Sequence, residues 1–412
     1  MPPREKTRQQ VLAGPAKTII FLIFVFSLFA IVGARFTTAL PGSDFPDFYA
    51  AARMIAGGHG HQIYDPEAQR QSQARFAGRV GTLYIHPPFE ALLYLAVAWA
   101  PLKYAYLLWS VLNLASLAIS CRWLGQEVLQ PWDWRILLAV SLTFAPVALC
   151  IRQGQDSLLL LLLIVSALIA LRRNRAFAAG CWLGLGLFKF HLVLPLVTVL
   201  WLRRNRSGRV ALAKGFGLAA LALGAVCPVI SGWRVFRDYP AFLLHLRAQP
   251  FPGIFPRAMA NFRGLIYFFV HNDGSTTAIA ALCICSALAF TATLASGKRK
   301  FRNGKGEPTK DDPNHFDLAF ADAVLFALLV SYHLNPHDLT LLLLPIAVLL
   351  HRAVRRKPRT ADWITLGLAG ILFLPPLHLW ALEANAYALI SIPMLALFIF
   401  SASTAAGGID VS

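Results

Sequence analysis

The side chains that could do chemistry are the polar ones placed where polar groups are costly. Gly42-Ser43-Asp44-Phe45-Pro46-Asp47-Phe48-Tyr49 directly follows a long apolar run. A carboxylate at such a boundary, partly desolvated, suits a general base for a hydroxyl. Asp44 is the first candidate, and capping the helix that begins near Phe45 is its structural alternative. Asp47 falls in the first turn of that helix, where the dipole favours an acid, and is the nearby rival. Tyr84-Ile85-His86-Pro87-Pro88-Phe89 imposes an extended entry to a helix with Pro88 in its first turn. His86 is then fixed beside the first loop, either as a structural histidine or as a substrate contact. Glu90 is expected to face water or Arg53.

Further along, Gln153-Gly154-Gln155-Asp156 separates two apolar spans. Its amides could hold sugar hydroxyls; a plain hairpin turn with Asp156 capping the next helix is the alternative. Phe188-Lys189-Phe190-His191 puts a cation inside an apolar stretch, at an insertion cost of about 2.5–3.5 kcal/mol. A bound phosphate would offset that cost, and so would a buried carboxylate. The segment Ser231–Thr276 carries Arg234, Arg237, Arg247, Arg257 and Arg263 against Asp238 and Asp273. Arginine suits phosphate, so Arg257 and Arg263 join Lys189 and His191 as anion-binding candidates. Tyr332-His333-Leu334-Asn335-Pro336-His337-Asp338 closes the set. Pro336 between the two histidines argues against a helical metal pair, so substrate contact by His333 and His337 is favoured and no metal or other cofactor is expected.

The elements that position these residues are set by composition. Of 412 residues 57% are hydrophobic and 14% charged, with mean hydropathy +0.58; soluble domains average about 25% charged. Such a chain cannot coat a globule with polar surface, so it is expected to be all-α and polytopic in a membrane. The excess of 38 Lys+Arg over 20 Asp+Glu then reads as cations flanking helices on the cytoplasmic side, with no nucleic-acid partner. The six cysteines lie in apolar runs without CxxC spacing and read as packing residues. There is no Walker loop, HExxH or GxSxG.

Apolar spans are expected at 18–40, 102–121, 136–150, 157–171, 210–230, 276–297, 316–332, 339–351, 361–379 and 387–401. The segment 176–202 has Arg172, Arg173 and Arg175 before it and Arg203, Arg204, Arg206 and Arg209 after it. Both flanks belong inside, so it is expected to enter and return as two short helices with Lys189 near the tip. By the same rule 86–100 is re-entrant and does not cross. One polytopic domain over 1–412 follows, with about twelve crossings. It comprises the first span, a helical periplasmic loop over 41–85, core helices over 86–297, a cytoplasmic linker over 298–315 and C-terminal helices over 316–401. The N-terminus is expected inside, in the inner (plasma) membrane, and the polar residues outside.

Several stretches together resemble glycosyltransferase family 87, polytopic enzymes of the GT-C type. They are the Asp-Phe-x-x-Phe-Tyr-Ala-Ala-like stretch after the first span, the pair Gly57-Gly58, and Tyr64-Asp65-Pro66. Pro87-Pro88-Phe89, the run Leu108–Leu114, Gly154-Gln155 before an all-leucine helix, and Ala179-Gly180 through Lys189 follow in the same order. The resemblance implies transfer of a hexosyl, by likeness mannosyl, unit from a polyprenyl-phosphate donor to a lipid or glycan acceptor in the bilayer. It also implies an Asp base at the position of Asp44, with Asp47 as rival and inversion at the anomeric carbon. Lys189, His191, Arg257 and Arg263 would then meet the donor phosphate, while Tyr49, His86, Gln153, Gln155, His333 and His337 contact substrate. Where the family has Tyr-Pro-Pro this chain has His86-Pro87-Pro88, and where it has Lys-Pro this chain has Lys189-Phe190. A transporter or lipid-linked-sugar flippase is the alternative; it would spread its charges along a path through the membrane. The oligomeric state is not legible.

Overall fold

The computed structural model describes residues 43–78, 80–248, 255–272, 274–298, 313–355 and 360–405. The first apolar run 18–40 and the linker over 299–312 lie outside the described residues. Two helices of the first loop come first, α1 (Phe45–Ala56) and α2 (Pro66–Ala77), then α3 (Ala91–Ala98), α4 (Leu102–Glu127), α5 (Trp134–Leu142) and α6 (Ala145–Gln153). The middle holds α7 (Ser157–Arg172), α8 (Ala176–Leu185), α9 (Phe190–Leu202), α10 (Arg206–Ser231), α11 (Val235–Ala248) and α12 (Phe262–Val270). The remainder is α13 (Thr276–Lys298), α14 (Pro313–Val330), α15 (Leu343–Arg355), α16 (Thr360–Phe373), α17 (Pro375–Glu383) and α18 (Ser391–Ala405).

Local chemistry sets the helix ends. Asp65 Oδ1 accepts from the Glu67 and Ala68 amides at 2.9 and 3.0 Å and starts α2, and Gly78, at φ +68°, stops it. Pro146 and Pro375 stand in the first turns of α6 and α17. There the pairs α5–α6 and α16–α17 bend, by 71° and 56°, because proline removes a helix donor and displaces the preceding turn.

Among the described residues five helical stretches are long and apolar enough to cross a membrane, or up to seven if each bent pair is one span. That is fewer than the twelve or so expected, because several helices are short or broken; α7, for example, has 16 residues. Lipid is the fitting solvent for the outer faces. The apolar windows of Arg206–Ser231 and Thr276–Ser296 are only 22% and 17% buried, and Leu221, Val229 and Leu288 are exposed.

By length Ala176–Leu202 counts as one stretch, yet its contacts fold it into two antiparallel arms, as the flanking arginines suggested. Arg172, before it, donates to Asp317, and Arg203, after it, donates to the Ala319 carbonyl. Both ends therefore lie at the same level of α14. Midway, after a 3-10 turn at Gly186–Lys189, Lys189 reaches Asp156 and Asp338 at the other end of the bundle. The returning arm α9 lets α10 run parallel to α8. A Cβ on Gly180 would lie 2.2 Å from the Leu212 carbonyl oxygen, one on Gly215 2.0 Å from that of Phe177, and one on Gly184 2.6 Å from Ala219 Cβ. Glycines at this spacing let helix backbones touch.

Residues 86–100 contain a short apolar helix, and both ends of this segment contact α1. The His86 ring packs on Phe48 at 4.8 Å, and the Ala100 carbonyl accepts from the hydroxyl of Tyr49, the next residue along α1. Both ends of α3 thus return to the layer of α1. The bundle consequently has a loop-rich end, with α1–α3, and an opposite end where Arg172, Arg203 and Arg209 gather.

Candidate functional site

The site is built on the turn between α6 and α7. Gly154, at φ +65°, closes α6, and a Cβ there would meet Phe45 Cβ at 2.5 Å. The carbonyls this turn leaves free are taken by side chains. Tyr106 donates to Ile151 and Arg152, Tyr94 to Gly154, and Trp109 and Asn113 to Gln155. Those donors are held by ring stacking, Phe48 on Tyr94 at 4.5 Å and Tyr94 on Trp109 at 4.2 Å.

So fixed, the turn aims three side chains. Gln155 Nε2 donates to Asp44 Oδ2 at 2.7 Å. Asp44 occupies the cap position of α1 but makes no side-chain cap bond, and it is half-buried. Gln153 Oε1 meets His337 Nδ1 at 2.7 Å. Asp156 Oδ1 and Asp338 Oδ1 sit 3.1 and 2.9 Å from Lys189 Nζ, all three side chains at most 3% exposed. Ser157 Oγ donates to Asp338 Oδ1 at 2.8 Å, and Asp338 Oδ2 accepts from the Asn335 amide at 2.9 Å.

Lys189 therefore has the carboxylate partners that the sequence left as an alternative to phosphate, and its ammonium is enclosed. Two acids share one cation, and this cluster joins three separated pieces of chain. Removing one partner of such a buried pair typically costs about 3–5 kcal/mol.

Beside the cluster lies a row of histidines. His191 Nδ1 is 2.9 Å from Ser331 Oγ, and that hydroxyl donates to the His333 carbonyl at 2.7 Å. The two imidazole rings meet edge to face at 5.9 Å, and Asn335 Nδ2 is 3.1 Å from His333 Nε2. Asn261 caps α12 through its oxygen and donates to the Ser331 carbonyl at 2.7 Å through its amide. Arg263 lies over the Tyr332 ring at 4.1 Å and donates to the Tyr332 carbonyl at 3.2 Å. Burial holds His333 down to about 4. Among the described residues no group of three His, Cys, Asp or Glu side chains could hold a metal ion.

His86 closes the other side. Its Nδ1 is 2.9 Å from Glu90 Oε1. Glu90 does not face water or Arg53 as expected: it is 0% exposed, because α3 lies against α1 and turns the residue just before its start inward. Arg53 instead donates to the Ala98 carbonyl and lies over Phe76. Burial pushes Glu90 up to about 8 and His86 down to about 4, with the charges of Lys189, Asp156, Asp44 and Asp338 all acting on His86.

Thus Asp44, His86, Gln153, Gln155, Lys189, His191, Arg263, His333 and His337 come together at one end. Asp47 stands apart in the first turn of α1, accepting from Thr82 Oγ1 at 2.6 Å and pressed by Gly81. The Tyr49 hydroxyl is spent on Ala100 within aromatic packing. Arg257 is half-buried on the turn Pro256–Ala258 before α12. Glu90 and the partners of Lys189 are what sequence reasoning missed. An enclosed lysine demands acids, and Asp156 and Asp338 were the ones flanking apolar helices; Glu90 stands four residues from His86.

A family model described as Glycosyltransferase family 87 matches residues 84–331, from the aromatic entry of α3 to the end of α14. Asp44 and Asp47 precede the matched residues. No curated protein matches the chain.

Proposed function

The chain belongs to glycosyltransferase family 87, and from that premise we propose that it transfers a hexosyl, by likeness mannosyl, unit from a polyprenyl-phosphate donor to a lipid or glycan acceptor. The observation that carries the reading is the 2.7 Å bond from Gln155 to a half-buried Asp44. One carboxylate oxygen is oriented by the side-chain amide of a residue whose main-chain carbonyl is held by Trp109 and Asn113. Asp44 takes the proton of the acceptor hydroxyl as its oxygen bonds to the anomeric carbon. The bond from that carbon to the donor phosphate oxygen breaks, and the phosphate leaves with the electron pair. One base and no protein nucleophile gives inversion through an oxocarbenium-like transition state.

Fixed cations must meet the charge growing on the phosphate. Arg263, with His333 and His191 beside it, is suited to that task, and Arg257 on the turn before α12 is the further candidate. Lys189 serves from beneath: committed to Asp156 and Asp338, it holds the Gln155 turn and the His337 turn in one geometry. The donor brings its own activation, so no nucleotide site is required. The arginines at the opposite end of the bundle support a periplasmic placement of this end, by the positive-inside trend.

The test is Asp44→Asn in membranes supplied with polyprenyl-phosphate sugar. Expression and thermal stability are expected to hold while transfer falls by about 10²–10⁴-fold, the usual contribution of a general base. Undiminished transfer removes Asp44 from that role, and loss on Asp47→Asn alone would assign it to the rival.

A further inference from the structure

At the opposite end of the bundle, between the lower ends of α4, α7 and α8, lies a cavity of about 280 Å³. It plays no part in the transfer site. Trp123, Trp182 and Ile169 form apolar walls, and Arg173 and Arg175 stand at the polar side with Glu127. Arg173 Nη2 donates to Glu127 Oε1 at 2.6 Å, with the two side chains 51% and 38% exposed. That leaves one guanidinium in excess of the carboxylate count. The backbone amides of Asn174 and Arg175 are already engaged, by the Leu171 and Ala170 carbonyls. An anion there would be met by side chains and not by the turn.

Two features decide the ligand class. The cavity opens beside surface already suited to acyl chains, with Ile119, Phe177 and Trp182 exposed on the same helices. Indoles at the boundary between apolar and charged surface are the usual neighbours of lipid headgroups, and basic pockets between membrane helices bind anionic headgroups. A free phosphate ion would use the guanidiniums and leave the indole walls unused. The volume lies just below the roughly 300 Å³ at which small-molecule pockets begin, enough for a headgroup whose chains run outside. We propose that this cavity seats the phosphodiester headgroup of an anionic phospholipid, with Arg173 and Arg175 on the phosphate and Trp123 and Trp182 flanking the glycerol.

The full-length protein in a neutral detergent, titrated with phosphatidylglycerol and read by native mass spectrometry, tests this without any transfer assay. A failure here is therefore separable from failure of the transferase reading. Wild type is expected to retain phosphatidylglycerol over phosphatidylcholine. Arg173→Gln with Arg175→Gln should weaken retention by about a hundredfold, two lost charge-assisted contacts at about tenfold each. Ala178→Phe, which fills the cavity and keeps both arginines, should weaken it as well, so the result does not rest on one variant's folding. Equal retention of phosphatidylcholine, or unchanged retention in both variants, overturns the site. Displacement of the lipid by inorganic phosphate at equal concentration would make it a free-anion site and overturn the lipid assignment.

Discussion

At the scale of single residues the molecule concentrates its cost in a few buried ionisable groups. Glu90 is the plainest. Its carboxyl is raised by burial to about 8 from an ordinary 4.5, with Lys189 pulling it down and Asp338 pushing it up. The folded state thus holds a proton that the unfolded chain releases. Stability from this group is fully present below about 4.5 and is lost as pH rises through about 8. His86 works in the other direction: lowered to about 4, its contribution is present above 6.5 and is lost as pH falls through about 4. Thermal unfolding of purified protein between pH 5 and 9 should show a falling midpoint on the alkaline side. Glu90→Gln should flatten that limb while sparing the acid one. An unchanged alkaline limb would mean that Glu90 is ionised in the fold and paired to a protonated His86.

At the scale of elements, the parallel packing of α8 against α10 decides whether Lys189 arrives at the Gln155 turn. Gly180 and Gly215 permit it, since side chains there would run into carbonyl oxygens. Gly180→Val should destabilise the protein by about 1–3 kcal/mol, the usual range for overpacking. Gly217→Ala, on the same α10 but with nothing within 4 Å of its Cβ, should be neutral or gain up to about 1 kcal/mol. Thermal midpoints of the two variants check the pair, and equal losses would mean that glycine flexibility, not close approach, is what α8 and α10 need. Much of this level was legible in the sequence. Flanking arginines foretold the return of 176–202, and the loop over 41–85 was expected to be helical. The polar residues of the site were legible as a set, because polarity in an apolar chain stands out. Their pairings were not: the acids on Lys189 come from the turn before α7 and from the turn before α15, and only tertiary packing brings these together. The fate of Tyr49 was hidden for the same reason, its partner being the Ala100 carbonyl after α3.

At the scale of the whole molecule part of the excess positive charge gathers at one end of the bundle. Arg172 and Arg203 bind α14 near Asp317 and Ala319, and Arg204 and Arg209 lie over Phe316 and Trp201. The proposed transfer site is at the other end of the same helices. Between the two, α7 rises about 24 Å and α14 about 27 Å at 1.5 Å per residue, close to the roughly 30 Å of a hydrocarbon core. A membrane fitted to that slab leaves the arginines on one face and Asp44 on the other, and the positive-inside trend predicts a cytoplasmic arginine face. Two exposed positions separate the faces, Gln71 on α2 and Ser207 at the start of α10. With the native cysteines replaced, Gln71→Cys in intact cells should react with a membrane-impermeant maleimide, while Ser207→Cys should react only after the membrane is opened. The reverse pattern would put Asp44 in the cytoplasm and overturn the outward-facing site. Reaction of both from outside would mean that the arginine end does not follow the charge rule, and that its cations serve a ligand instead of the topology.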